Sequence, residues 1–170
     1  FLYAVTNKPF PAMQLFGLEM YHEFFNNLKE LEKFSKKNNF KIYINLHPGA
    51  KSSMQLLKEK FKTLYFTSGR IEKSLKNASV TLSYSSTAIE DSIYFKVPVI
   101  LFDTRSRYKH CESEINPKKE NKSIYYINSL EDLEKCVDTI KASKNIKFDD
   151  HIFQEDYKIN IKKLFSKLIN

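Results

Sequence analysis

Glycine is nearly absent: the chain has three in 170 residues. No GxGxxG and no GxxxxGK[ST] can be built from them, which disfavours an NAD-type Rossmann enzyme and a P-loop NTPase. Cysteine is equally sparse. Cys111 and Cys136 lack metal-ligand spacing and read as reduced cytosolic thiols. No apolar run approaches the roughly 20 residues that a bilayer span needs, and no signal peptide is visible. What the chain does have is apolar residues at 42% and aromatic residues at 14%, too many for a disordered segment. Its length suits one domain with a real core. It starts FLYAV, without Met and directly in a strand-like run, so the expectation is a single domain over 1–170 taken from a longer protein.

Net charge is +8. That balance is compatible with nucleic acid, an anionic membrane surface or a phosphate-bearing ligand. Lysine dominates over arginine, and Asn and Ile are frequent, a mix that codon bias alone produces. The charge therefore carries little functional weight, and no nucleic-acid partner is expected. The basic clusters NPKKENK and NIKKLFSKL read as solvated faces.

Hydrophobic periodicity alternates between strand and helix along the chain. Buried strands are expected at 1–5, 40–46, 63–66, 80–84, 97–102 and 124–127. Helices are expected at 17–38, 51–61, 70–78, from about residue 88, at 129–142 and at 150–169. Residues 6–15, with two prolines, and 104–123 read as loops. Such alternation calls for an α/β fold, a Rossmann-like three-layer sandwich with about six parallel strands in the order 3-2-1-4-5-6. The crevice where that order reverses is the usual ligand site.

Residues 78–103, ASVTLSYSSTAIEDSIYFKVPVILFD, are the most informative stretch. A strand runs into the hydroxyls Ser85, Ser86 and Thr87, a helix start with Glu90 and Asp91 follows, and a second buried strand closes it. Hydroxyls at a helix start beyond a strand's carboxyl end suit a phosphate, and the carboxylates suit a sugar hydroxyl. The plainer reading is that Ser86 or Thr87 is an N-cap with Glu90 its capping-box partner. His47, held by Pro48 after the second strand, could hydrogen-bond or protonate a leaving phosphate, or be a surface residue at a strand end. Thr6, Asn7 and Lys8 after the first strand, with Arg105 and Arg107 after the fifth, would complete the rim. His110, Cys111 and Glu112 are adjacent and have no second cluster, so no metal site is expected.

Taken together, HPGAK at 47–51 and YSSTAIEDSIYFKVPVI at 84–100 resemble the carboxyl-terminal half of a GT-B glycosyltransferase. The likeness is to bacterial transferases of cytidine-nucleotide donors: sialyl-, polysialyl- and Kdo transferases of capsule synthesis, and glycerophosphotransferases of teichoic acid synthesis. That resemblance implies His47 as leaving-group acid or stabiliser, and Ser85 and Ser86, with Thr87, as donor-phosphate ligands. The same segment resembles UDP-sugar 2-epimerases and the N-acetylglucosaminyl transferase of peptidoglycan. In those an acidic residue seven or eight positions before a proline binds the ribose. Asp91 and Glu90 stand seven and eight before Pro98. The Ser-Gly-Gly turn of the epimerases is missing, which favours the transferase. The resemblance implies a nucleotide-sugar donor, a saccharide or lipid-linked saccharide acceptor, and no cofactor or metal. It also implies a separate N-terminal acceptor domain carrying the catalytic base, and a cytoplasmic location, at the inner face of the membrane where the association is peripheral. A non-catalytic nucleotide-binding domain that kept only the fold is the remaining alternative.

Overall fold

A computed structural model describes residues 2–5, 14–83, 86–104 and 109–148, with the side chains of 2–5, 14–21, 48 and 49 left aside. Strands β1 (Leu2–Val5), β2 (Ile42–Leu46), β3 (Leu64–Ser68), β4 (Thr81–Ser83), β5 (Val99–Phe102) and β6 (Ile124–Ile127) are all parallel. β3 and β2 form one pair, β4, β5 and β6 a triplet, and β1 lies between them, hydrogen-bonded to β2 and β4. Helices α1 (Gln14–Asn38), α2 (Met54–Lys60), α3 (Glu72–Leu75), α4 (Ala88–Tyr94) and α5 (Leu130–Ala142) fill the crossovers. The architecture is α/β and Rossmann-like. Among the described residues no helix is long and apolar enough to cross a membrane.

The two faces of the sheet are covered differently. Ile42, Ile44, Leu46, Ile100, Phe102 and Ile127 project to one face. There they meet Phe24, Leu28, Leu31 and Phe34 of α1 and Leu133, Cys136, Val137 and Ile140 of α5. Both helices bury residues at three- and four-residue spacing, the stripe that a 3.6-residue period places on one side. Leu28, Leu31 and Leu133 are wholly buried, each contributing about 1.5–3 kcal/mol. On the opposite face, Val99, Leu101 and Ile124 pack against Ile89 and Ile93 of α4 and against Phe148. All four residues of β5 are therefore buried, because each face of that strand has a helix on it. The β2–β3 side lacks such cover. Tyr43 and Tyr65 stack there with ring centroids 5.1 Å apart, and remain 39% and 48% exposed.

Local chemistry explains several boundaries. Asn39 sits at φ 54° just past α1, the left-handed conformation that commonly ends a helix and that Asn tolerates. Ser129 is extended and accepts the Asp132 N–H at 3.1 Å, while Glu131 and Asp132 favour the positive end of α5.

Other boundaries correct the sequence reading. α1 begins at Gln14, not Gly17, so Gly17 lies inside a helix whose packed length outweighs the about 1 kcal/mol that Gly costs. The expected helix over 51–61 divides into a 3-10 helix at Pro48–Ser53 and α2. The expected helix over 70–78 shrinks to the four residues of α3, leaving only Leu75 to bury. The polar stretch 104–123 is not wholly loop: Glu114 donates its N–H to Ile124 and accepts from Tyr126, extending the edge of β6. The helix expected over 150–169 lies outside the described residues.

Candidate functional site

Register places the two landmark segments. Ala4 of β1 stands opposite Asn45 of β2 on one side and Ser83 of β4 on the other. His47 and Ser86 thus leave the sheet at the same, carboxyl, edge, flanking β1. With strands about 4.8 Å apart, β2 and β4 are roughly 10 Å from each other there. α1 departs to the face it shares with α5, and α4 to the opposite face. The edge between β1 and β4 is a topological switch point, where the helices that follow the two strands lie on opposite faces of the sheet. Among the described residues, His47, Ser86 and Thr87 stand at that shared edge. Thr6, Asn7, Lys8, Tyr84, Ser85, Arg105 and Arg107 lie outside the described residues, as does the side chain of Pro48.

His47 is half-buried, and its carbonyl accepts the Ala50 N–H at 2.8 Å. Pro48 opens the 3-10 helix, a position where its missing N–H costs nothing. The His47 backbone is thus fixed by a turn of defined geometry at the end of a buried strand.

Ser86 is half-buried and does the local capping. Its Oγ accepts the Ala88 N–H at 3.2 Å and its carbonyl accepts Ile89 N–H at 3.0 Å. Thr87 is helical at φ −60°, ψ −12°, is exposed, and makes no side-chain cap bond. The capping-box reading of Glu90 gives way to a different contact, 3.2 Å to His110 Nε2. Asp91 is exposed at the first turns of α4. Partial desolvation, and then the neighbouring charges of Glu72 and Glu90, raise its carboxyl above the usual aspartate range. α4 itself is fixed from below: Ser92 Oγ lies 2.6 Å from the Ala88 carbonyl and 2.9 Å from Thr81 Oγ1, all inside the core.

The residues after β5, expected next along this rim, meet α1 at polar residues that the sequence reading did not single out. Asp103, directly after β5, is 1% exposed and accepts the Tyr126 hydroxyl at 3.4 Å. Thr104 Oγ1 donates to Asn27 Oδ1 of α1 at 3.4 Å, and Asn27 and Glu23 are both buried. Asn27 lies four residues before Leu31, and Glu23 four before Asn27, so both interrupt the apolar stripe of α1. That interruption was the available signal.

Among the described residues no group of three or more His, Cys, Asp or Glu side chains could share a metal ion. Cys111 is half-buried beside Glu90, and burial followed by that charge pushes its thiol up, away from a nucleophilic thiolate. The described edge thus offers an imidazole, hydroxyls and carboxylates: groups for binding a phosphate and a sugar and for moving one proton. Comparison with known proteins adds no precedent, since no family model, no curated protein and no solved structure matches the chain.

Proposed function

We propose that this chain is the donor-binding half of a GT-B glycosyltransferase. Its donor is a nucleotide-activated sugar, a CMP-linked acidic sugar. The sugar passes to a surface polysaccharide or lipid-linked saccharide held by a second, N-terminal domain, in the cytoplasm at the inner face of the membrane. The observation that carries this reading is the placement of His47 and Ser86–Thr87 on either side of β1, at the switch point on the carboxyl edge.

The chemistry follows from the groups. As the bond from the sugar to the phosphate oxygen breaks, negative charge builds on the phosphate. Hydroxyl donors from Ser85, Ser86 and Thr87 stabilise that charge, and the His47 imidazole donates a hydrogen bond or its proton to the departing oxygen. A carboxylate on the first turns of α4 accepts from the ribose hydroxyls. Glu90 already engages His110, so Asp91 is the first candidate for that contact. No metal is required in this scheme.

Isothermal titration with CMP, CDP, UMP and UDP tests the assignment. Cytidine preference supports it, with CDP over CMP pointing to a CDP-glycerol-type phosphotransferase. Uridine preference points to half of a 2-epimerase, and no binding to a domain that kept the fold alone. Ser86→Ala should weaken nucleotide binding by about 1–2 kcal/mol, the range for a hydrogen bond to a charged group. His47→Ala should harm turnover of the complete enzyme more than affinity, because its help grows as charge develops. Unchanged affinity in the first variant together with unchanged turnover in the second would reduce both motifs to caps and turns.

A further inference from the structure

A second concavity lies on the sheet face that the short α3 leaves partly open. It encloses about 490 Å³, within the range of about 300–1,000 Å³ usual for small-molecule sites. Tyr43 of β2 forms its aromatic wall and keeps 39% of its surface accessible. Tyr65, in register with Tyr43 on β3, stacks on that ring and does not line the concavity. One face of the Tyr43 ring is therefore taken, and the other is left for a ligand. The groups around it are neutral and polar. Ser74 from α3, then Asn77 and Ser79 from the stretch that leads into β4, supply two hydroxyls and an amide. Lys41 and Lys73 border the space too, but a neutral ligand draws on neither charge.

Hydroxyl and amide groups both donate and accept, so they match a ligand whose own groups do both. The electron-rich face of a tyrosine ring attracts the slightly positive hydrogens of C–H groups. A pyranose combines the two, with C–H bonds on one face and hydroxyls around its rim. A heterocyclic base is apolar on both faces, and only one aromatic face is on offer here. We propose that this pocket binds a neutral saccharide, one pyranose ring laid on Tyr43 and its hydroxyls bonded by Ser74, Asn77 and Ser79. The site is separate from the carboxyl edge. Lys41 and Asn77 to Ser79 lead into the amino ends of β2 and β4, whereas His47 and Ser86 follow their carboxyl ends. It does not depend on the transferase reading.

Amide chemical-shift titration of the full chain tests this. Maltose, lactose and N-acetylglucosamine serve as neutral probes, glucuronate as an anionic one and adenosine as a flat one. At least one neutral saccharide should give saturable shifts confined to the amides around 41–43 and 73–79, and bind there more tightly than glucuronate or adenosine. Tyr43→Phe keeps the ring and should leave that affinity unchanged, while Tyr43→Thr removes the ring and should abolish saturation. Asn77→Ala should weaken binding about three- to tenfold, the range for one neutral hydrogen bond. Lys73→Met and Ser86→Ala should leave it unchanged. Asn77 is exposed, so its variant keeps the fold and carries the test alone if Tyr43→Thr does not. The proposal is overturned if no neutral saccharide saturates, or if glucuronate or adenosine binds there more tightly. It is also overturned if Tyr43→Phe weakens binding, if Lys73→Met weakens it as much as Asn77→Ala does, or if Asn77→Ala leaves affinity unchanged.

Discussion

Replacing Ser92 by alanine is expected to destabilise the chain by about 1–3 kcal/mol. Ser92 and Thr81 are both wholly buried. Each hydroxyl has a single hydrogen to give. Ser92 spends its own on the Ala88 carbonyl, the shorter contact at 2.6 Å, so Thr81 donates across 2.9 Å to the Ser92 oxygen. Alanine at 92 removes that acceptor and leaves the Thr81 donor where water does not reach. The loss is then the desolvation cost of an unmade bond, not the smaller net worth of a made one. Thr81→Val removes the stranded donor at nearly constant shape. The double variant Thr81→Val, Ser92→Ala should therefore be less destabilised than the sum of the singles, with a coupling on the order of 1 kcal/mol. Urea unfolding followed by circular dichroism measures all three. A loss below about 0.5 kcal/mol, or strict additivity, would refute a direct hydroxyl–hydroxyl bond.

Tyr125 is wholly buried, donates to the Lys119 carbonyl at 2.6 Å, and has its phenol pushed up to about 12 by burial. Its folded-state value exceeds its unfolded one, so the stabilisation is fully present below pH 10 and is lost as pH rises toward 12. That loss should reach about 2–3 kcal/mol, and Tyr125→Phe should flatten it, read from unfolding at stepped pH. The raised pKa of Asp91 means that its ionised form is less favourable in the folded chain than in the unfolded one. Asp91→Asn should therefore raise the melting temperature of the ligand-free chain at pH 7 slightly while weakening nucleotide binding; a lowered melting temperature would contradict the desolvation argument. Burial pushes the Cys136 thiol up more strongly than that of half-buried Cys111. Alkylation at pH 8 followed by mass spectrometry should label Cys111 slowly, label it faster in Glu90→Gln, and reach Cys136 only on unfolding.

The α/β class was legible because strand and helix periods differ, and the apolar run at 97–102 announced a strand buried on both faces. Ser129 and the Asn38–Asn39 pair marked helix ends because their signals are local: a side-chain oxygen that meets an N–H, and a residue that tolerates positive φ. His47 and Ser86 could be singled out for the same reason, as polar residues directly after buried strands. The start of α1 was misread because prolines mark a boundary only approximately, and Gly17 looked like the first helical residue although a packed helix tolerates it inside.

Composition and period by themselves determined which residues form strands, which faces are apolar, and which polar residues stand at strand ends. Tertiary structure decided what those residues meet. Glu90 could cap its own helix by its spacing, but the fold brings His110 to it from twenty residues away. Glu23 and Asn27 look like flaws in an apolar stripe until the end of β5 places Thr104 against Asn27. Tyr43 reads as one more buried strand residue, yet the shortness of α3 leaves its face open. The reason is range: caps and periods act within one turn of chain, while burial and hydrogen-bond partners at the edge of the sheet depend on which crossovers cover which strands.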